Sequence, residues 1–232
     1  MVIGAVMVAT LLRAFVGQMF LIPSPSMEQT LAIGDRVVVE KLSSIKRGQV
    51  VVFEDPGGWL TGTTYAERGS IGRALQFVGV LPDNSTEHLI KRVIGMPGDR
   101  VMCCDSDGRV TVNAQPLTET GYLYVGSDGR QAVPSTIRFD VVVPGGRLFV
   151  MGDNRAHSRD SRCHLMDAKT GGTSGDNAFV SEDLVVGRAI AVVWPTNRAH
   201  RLAIPDTVKA VPTANEPAPG TPIIHAGPEA NC

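Results

Sequence analysis

Short, β-branched, turn-bounded segments recur along most of this chain, and they limit its fold more than any other feature. Residues 34–41 read GDRVVVEK and residues 48–53 read GQVVVF. Residues 89–94 (LIKRVI) are closed by Gly95-Met96-Pro97-Gly98-Asp99. Residues 100–104 and 110–112 flank Asp105-Ser106-Asp107-Gly108, whose composition suits a hairpin turn. Residues 138–143, 147–151 and 184–194 extend the series. Runs this short, rich in Val and Ile and stopped by Gly, Pro and Asp, read as strands. Their density predicts a mainly β, barrel-like or sandwich domain. One body segment departs from the pattern: residues 70–81 place Ile71, Leu75, Val78 and Leu81 at helical spacing. Residues 169–177, rich in Gly, Thr and Ser, read as a flexible loop. Beyond Pro205, Pro, Ala and Gly dominate without apolar periodicity, which reads as a flexible tail.

The N-terminus is a different material. Residues 2–12 are almost wholly apolar, Arg13 interrupts, and residues 14–22 resume with Phe15, Val16, Phe20 and Leu21. Together they approach the ~20 residues that span a bilayer. An arginine at mid-membrane costs ~2.5–3.5 kcal/mol. Arg13 is therefore better placed near the outer interface, with residues 2–12 as the end of a longer span. No basic cluster precedes the run and no small-residue cleavage site follows it, so a removable leader is disfavoured. The reading is a single transmembrane anchor that is cut short, with a buried core helix as the alternative.

A formal net charge of -1 and only 5% aromatic residues give no case for nucleic acid. The four cysteines, Cys103, Cys104, Cys163 and Cys232, lack C-x-x-C spacing and do not suggest a metal site. Either Cys103 or Cys104 could pair with Cys163, or they could be small buried side chains. No cofactor is implied.

Three polar segments carry chemistry. Ser26 sits in Ile22-Pro23-Ser24-Pro25-Ser26-Met27-Glu28-Gln29-Thr30-Leu31, at the exit of the apolar segment. Only five of the 22 basic residues are lysines, and Lys91 alone lies within an apolar strand. There an apolar face disfavours the ammonium form and makes the amine a general base. The alternative is a lysine that reaches from an edge strand into water. The third segment, Met151-Gly152-Asp153-Asn154-Arg155-Ala156-His157-Ser158-Arg159-Asp160-Ser161-Arg162, is either a solvated loop or a charged hydrogen-bond scaffold. A histidine-based triad is poorly supported, because no G-x-S-x-G elbow exists and His157 is too close to Ser158 in sequence.

IPSPSMEQTL, LIKRVIGMPGD and MGDNRAHSRDSR, in that order, resemble bacterial type I signal peptidases, the leader peptidases that use a Ser/Lys dyad. GDRVVVEKLS and RGQVVVFEDP fit between the first two, and the resemblance runs from Phe15 to Trp194. It implies Ser26 as nucleophile and Lys91 as general base. Ser24 and the Ser26 N–H would form the oxyanion hole, and Ser158 would orient the lysine. Arg92, Asp153, Asp160 and Arg162 would be charged supports. Phe20, Ile22, Met27, Leu31, Leu89 and Ile90 would shape substrate pockets for Ala-x-Ala-type sites. Two departures touch the site. Pro25 replaces the commoner Gly or Glu, and Gln29 stands where the family usually has Pro, a change expected to be mild.

The implied organisation is an anchor over 1–22, a β catalytic domain over 23–100 and 144–198, an inserted β region over 101–143, and a flexible tail over 199–232. The implied activity is removal of signal peptides from exported preproteins by a single-pass enzyme of the bacterial cell membrane, its catalytic domain on the extracytoplasmic side. Partners would be preproteins, the bilayer and the secretion translocon. The alternatives are a dedicated processing peptidase for one exported substrate, and a non-catalytic anchored β domain that binds exported proteins.

Overall fold

The computed structural model describes residues 17–60, 88–167 and 174–227. Thirteen strands among them form two antiparallel sheets. The first sheet is ordered β1 (Gln18–Leu21), β2 (Arg36–Glu40), β11 (Val185–Trp194), β3 (Val50–Glu54), β4 (His88–Gly95), β9 (Arg147–Met151) and β10 (Val180–Ser181), with β12 (His200–Arg201) also on β11. The second is ordered β13 (Ile223–Ala226), β8 (Phe139–Val142), β5 (Arg100–Cys103), β6 (Val110–Val112) and β7 (Gln115–Pro116). The mainly β reading holds, and the eight strands read from sequence all form.

Alternation explains the packing. On β2, Val37 and Val39 are fully buried while Arg36 is exposed. Those valines join Phe20, Ile22, Met27, Leu31, Val50, Val52 and Ile90 in one apolar cluster. The opposite face of β3 and β4 packs Val51, Phe53 and Val93 with Trp59, Leu148 and Val150. A third cluster joins the second sheet to the first through Phe139, Val141, Phe149 and Phe179. On the β5–β6 hairpin, the Asp105 carboxylate accepts the N–H groups of Asp107 and Arg109 at 2.9 and 2.8 Å, and Gly108 takes a φ of 77°.

Three expectations are corrected. Residues 18–21, assigned to the anchor, form β1 instead and pair with β2 from Gln18↔Val39 to Leu21↔Arg36. Phe20 reaches the core from that strand, so its apolarity serves the sheet rather than lipid. Residues 199–227, read as a flexible tail, form β12, a short helix α1 (Asp206–Lys209) and β13 on the edge of β8. Val208 and Val211 enter the core there, and a proline-rich path gains order from outside itself. Finally, Cys103 and Cys104 are bonded to each other rather than to Cys163.

The rest of the anchor (1–16), the helix at 70–81 and residues 169–173 of the flexible loop lie outside the described residues. Residues 174–177 of that loop enter a 3-10 turn, Asp176–Ala178. Among the described residues no helix is long and apolar enough to cross a membrane.

Candidate active site

Ser26 lies in a single 3-10 turn, Pro25–Met27, and is 5% exposed. Pro25 opens that turn. Backbone N–H groups there have no partner within the helix, so a residue without one costs nothing. The unusual neighbour of Ser26 is thus well placed. The turn is nailed down by Met27 and Leu31, both fully buried. The Leu31 and Thr30 N–H groups donate to the Met27 carbonyl at 2.7 and 3.1 Å.

Lys91 stands on β4 opposite Val51 and is 3% exposed. Its Nζ donates to Ser26 Oγ at 2.7 Å. Burial drives the amine pKa down from 10.5 to about 8. Asp160 and Asp153 draw it back up and Arg162 pushes it down, but desolvation dominates. Ser24 Oγ lies 3.3 Å from Ser26 Oγ.

The loop after β9 closes over the pair. The Asn154 N–H donates to the Ser26 carbonyl at 3.0 Å, and Asn154 Nδ2 donates to Glu28 Oε2 at 3.0 Å. Gly152 fits between Ser26 and Ser158: a Cβ there would stand 2.4 Å from the Ser26 carbonyl oxygen and 2.2 Å from Ser158 Oγ. Its N–H donates to Asp160 Oδ2 at 2.9 Å.

Two expected ion pairs form with both guanidinium arms. Arg92 Nε and Nη2 donate to Asp153 at 2.8 and 2.6 Å, and Nη1 donates to the Gly48 carbonyl at 2.8 Å. Arg162 Nε and Nη2 donate to Asp160 at 2.8 and 2.9 Å. Burial alone would raise the Asp160 pKa, but the Arg162 charge and its hydrogen bonds hold it below the usual range.

Other expectations fare differently. Ser158 is buried, but its Oγ makes no hydrogen bond to Lys91; it lies on the Asp160 side, where it helps to lower the carboxylate pKa. Phe20, Ile22, Met27, Leu31 and Ile90 are buried together in one core cluster, while Leu89 packs on the opposite face of the sheet with Phe53 and Trp59. A cavity of about 850 Å³ lies beside the turn, lined by Gln29, Thr30, Arg92 and Tyr122, and by residues 200–207 and Lys209. Neither Ser26 nor Lys91 lines it. Gln29 takes a φ of 86°, which a proline cannot adopt. The exchange expected to be mild thus permits a different turn.

Sequence reasoning missed three groups. Thr30 Oγ1 donates to Asp153 Oδ2 and accepts from Arg92 Nη2, which ties the Ser26 turn to the Arg92–Asp153 pair. Asn154 was in a recognised motif but unassigned. Glu119 and Tyr122 are isolated in sequence and carried no local signal.

Comparison with known proteins shows which family the chain belongs to. The family described as "Signal peptidase, peptidase S26" matches residues 1–194. A "Probable signal peptidase I" of Mycobacterium leprae is 39% identical over 206 residues, 79% of this chain and 71% of that protein. A "Signal peptidase I" of Mycobacterium tuberculosis is 37% identical, over 84% of this chain and 70% of that protein. Another, from Leptolyngbya laminosa, is 32% identical over 87% of this chain and 80% of that protein. With a match over most of its length and relatives of this similarity, the chain belongs to the signal peptidase family, peptidase S26.

Proposed function

We propose that this protein is a serine endopeptidase that removes N-terminal signal peptides from exported preproteins, cleaving after small residues with Ser26 as nucleophile and Lys91 as general base. The observation that carries the reading is the buried Lys91 amine 2.7 Å from Ser26 Oγ, with its pKa lowered to about 8. A neutral amine there accepts the Ser26 proton as Oγ attacks the scissile carbonyl, and the ammonium then protonates the leaving amine. The oxyanion forms against the Ser26 N–H and the Ser24 hydroxyl. Once Oγ is acylated, Lys91 loses its present partner. The buried Ser158 hydroxyl then orients the amine toward the deacylating water.

Small-residue specificity is assigned to Phe20, Ile22, Met27, Leu31 and Ile90, apolar side chains gathered around the Ser26 turn, with Leu89 on the opposite face of the same sheet. The same reading places the catalytic domain on the extracytoplasmic face of a bacterial membrane. It is held there by the N-terminal segment, beside the bilayer and the secretion translocon.

The test is cleavage of a preprotein in detergent by wild type, Ser26→Ala and Lys91→Ala. Both variants are expected to lose activity while staying folded. Cleavage at wild-type rates by either one would remove the dyad.

A further inference from the structure

The inserted segment reaches the loop that supports Ser26, and Arg92 on β4 beside it, through Tyr124, Tyr122 and Glu119. The Tyr124 N–H donates to the Asp153 carbonyl at 3.1 Å. The Tyr122 ring faces the Arg92 guanidinium, with 4.5 Å from Cζ to the ring centre. The Tyr122 hydroxyl donates to Glu119 Oε1 at 2.6 Å, and both Glu119 oxygens accept from Arg155. Glu119, Tyr122 and Arg155 are 3%, 4% and 5% exposed. The proposed chemistry uses none of them.

Their partners lead to the site. Arg155 Nε donates to the Gly152 carbonyl at 2.9 Å, and the Arg155 carbonyl accepts from Arg162 Nη2 at 3.0 Å. Glu119 and Tyr122 each grip one arginine. Both arginines grip the Gly152–Asp153–Asn154 stretch, whose last N–H holds the Ser26 carbonyl. A phenol that donates to a carboxylate also enriches its own ring in negative charge, which strengthens the attraction for a cation on the ring face. Burial and the Glu119 charge raise the Tyr122 pKa, so the phenol stays protonated and the ring keeps this role.

We propose that Glu119 and Tyr122 are positioning residues for the Ser26–Lys91 pair, acting through Arg155 and Arg92. The inference rests on the dyad reading above. It also has an electrostatic consequence. The Asp153 charge already attracts Arg155 and draws Lys91 toward its protonated form. Without the Glu119 charge, Arg155 turns toward Asp153. A carboxylate shared by two arginines draws Lys91 less, so the acid limb of the rate profile moves to lower pH. The other charges in this field, Asp160, Arg162 and Arg92, remain in place.

The experiment measures kcat, KM and the pH–rate profile of the full chain in detergent on a preprotein, with thermal unfolding as the fold control. The variants are Tyr122→Phe, Tyr122→Leu and Glu119→Gln. Tyr122→Leu is expected to lower kcat about tenfold at unchanged KM, as a sub-ångström displacement does. Tyr122→Phe keeps the ring and recovers most of that loss. Glu119→Gln lowers kcat and shifts the acid limb downward. If Glu119→Gln fails to fold, the two Tyr122 variants decide. A folded Tyr122→Leu enzyme with wild-type kcat overturns the proposal, as does an equal loss in Tyr122→Phe and Tyr122→Leu. An unmoved limb in folded Glu119→Gln does the same. Ser26→Ala and Lys91→Ala run alongside. If they cleave, the dyad reading falls. If they are inactive while Tyr122→Leu and Glu119→Gln match wild type, only the positioning role falls.

Discussion

Gly152→Ala gives the sharpest test of how Ser26 is held. The added Cβ would stand 2.4 Å from the Ser26 carbonyl oxygen, 2.2 Å from Ser158 Oγ and 2.6 Å from Ser158 Cβ. Carbon and carbonyl oxygen otherwise approach no closer than about 3.3 Å. Roughly 0.9 Å of separation must therefore be created. Ser158 can rotate away, but the Ser26 carbonyl belongs to the backbone. The Gly152 loop cannot retreat easily either. Its N–H is held by Asp160 and its carbonyl by Arg155, each at 2.9 Å. The Ser26 turn is what yields. A misplacement near 1 Å costs about 10²-fold in rate, or roughly 2.7 kcal/mol of barrier. The φ of Gly152 is outside the left-handed region, so alanine carries no backbone penalty and the effect is the contact alone.

The assay is single-turnover cleavage of a preprotein in detergent, with the thermal midpoint recorded for each variant. Gly187→Ala on β11 is the control, because its Cβ would stand 2.4 Å from the Glu40 carbonyl oxygen, away from Ser26. Both variants should lose stability, by about 1–3 kcal/mol for overpacking. Only Gly152→Ala should lose cleavage rate in the folded enzyme. A folded Gly152→Ala protein within about threefold of wild type would refute the reasoning, the expected loss being about 10²-fold. So would an equal loss in Gly187→Ala.

Three further outcomes follow from particular contacts. If the neutral Lys91 amine is the base, as proposed, activity should rise tenfold per pH unit toward a plateau above about 8; a flat profile from pH 5 to 9 would exclude it. Stability has the matching sign: the unfolded chain holds the Lys91 proton up to pH 10.5 and the folded chain only to about 8, so this residue's contribution rises across that window. Lys91→Met should consequently raise stability at pH 7, by up to about 3 kcal/mol in chemical denaturation, while abolishing cleavage. Gln29→Gly should preserve activity and match or exceed wild-type stability, since φ 86° strains a side chain; Gln29→Pro should lower the denaturation midpoint and the rate together. Removal of residues 199–232 takes Val208 and Val211 from the core and β13 from β8, and should cost at least ~3 kcal/mol in urea unfolding.

The strands were legible because alternation and turn chemistry act locally. Val37 and Val39, Asp105 and Gly108 would say the same in many proteins. The Ser26–Lys91 pairing was legible for another reason: an apolar strand with one lysine is an anomaly that calls for an explanation. The order of β1 and of residues 199–227 was not legible. β1 exists because β2 offers it a partner, and β13 exists because β8 has an open edge. Such strands are set by tertiary pairing rather than by their own residues. Glu119 and Tyr122 were invisible for the same reason. A glutamate and a tyrosine in a polar loop acquire meaning only when Arg92 arrives from β4 and Arg155 from the loop after β9.

The arginines also answer a question that a single buried lysine raises. Desolvation lowers the Lys91 pKa, yet the loop over it needs carboxylates: Asp160 holds the Gly152 N–H, and Asp153 holds Thr30. Both carboxylates pull the amine back toward its charged form. Left bare, they would cancel the burial and leave an ammonium unable to accept a proton. Each is instead paired with a guanidinium, Asp160 with Arg162 and Asp153 with Arg92, and Glu119 is paired with Arg155. Arginine suits this use, because its charge cannot be titrated away and its fork satisfies both oxygens at once. The pairs supply rigid hydrogen-bonding geometry, Arg162 offsets part of the pull of the carboxylates on Lys91, and burial remains the largest influence on its protonation state. On that account Arg162→Lys should retain the charge but loosen the geometry, whereas Arg162→Gln should raise the Lys91 pKa and move the acid limb upward. An unmoved limb in Arg162→Gln would mean that Arg162 acts on shape alone.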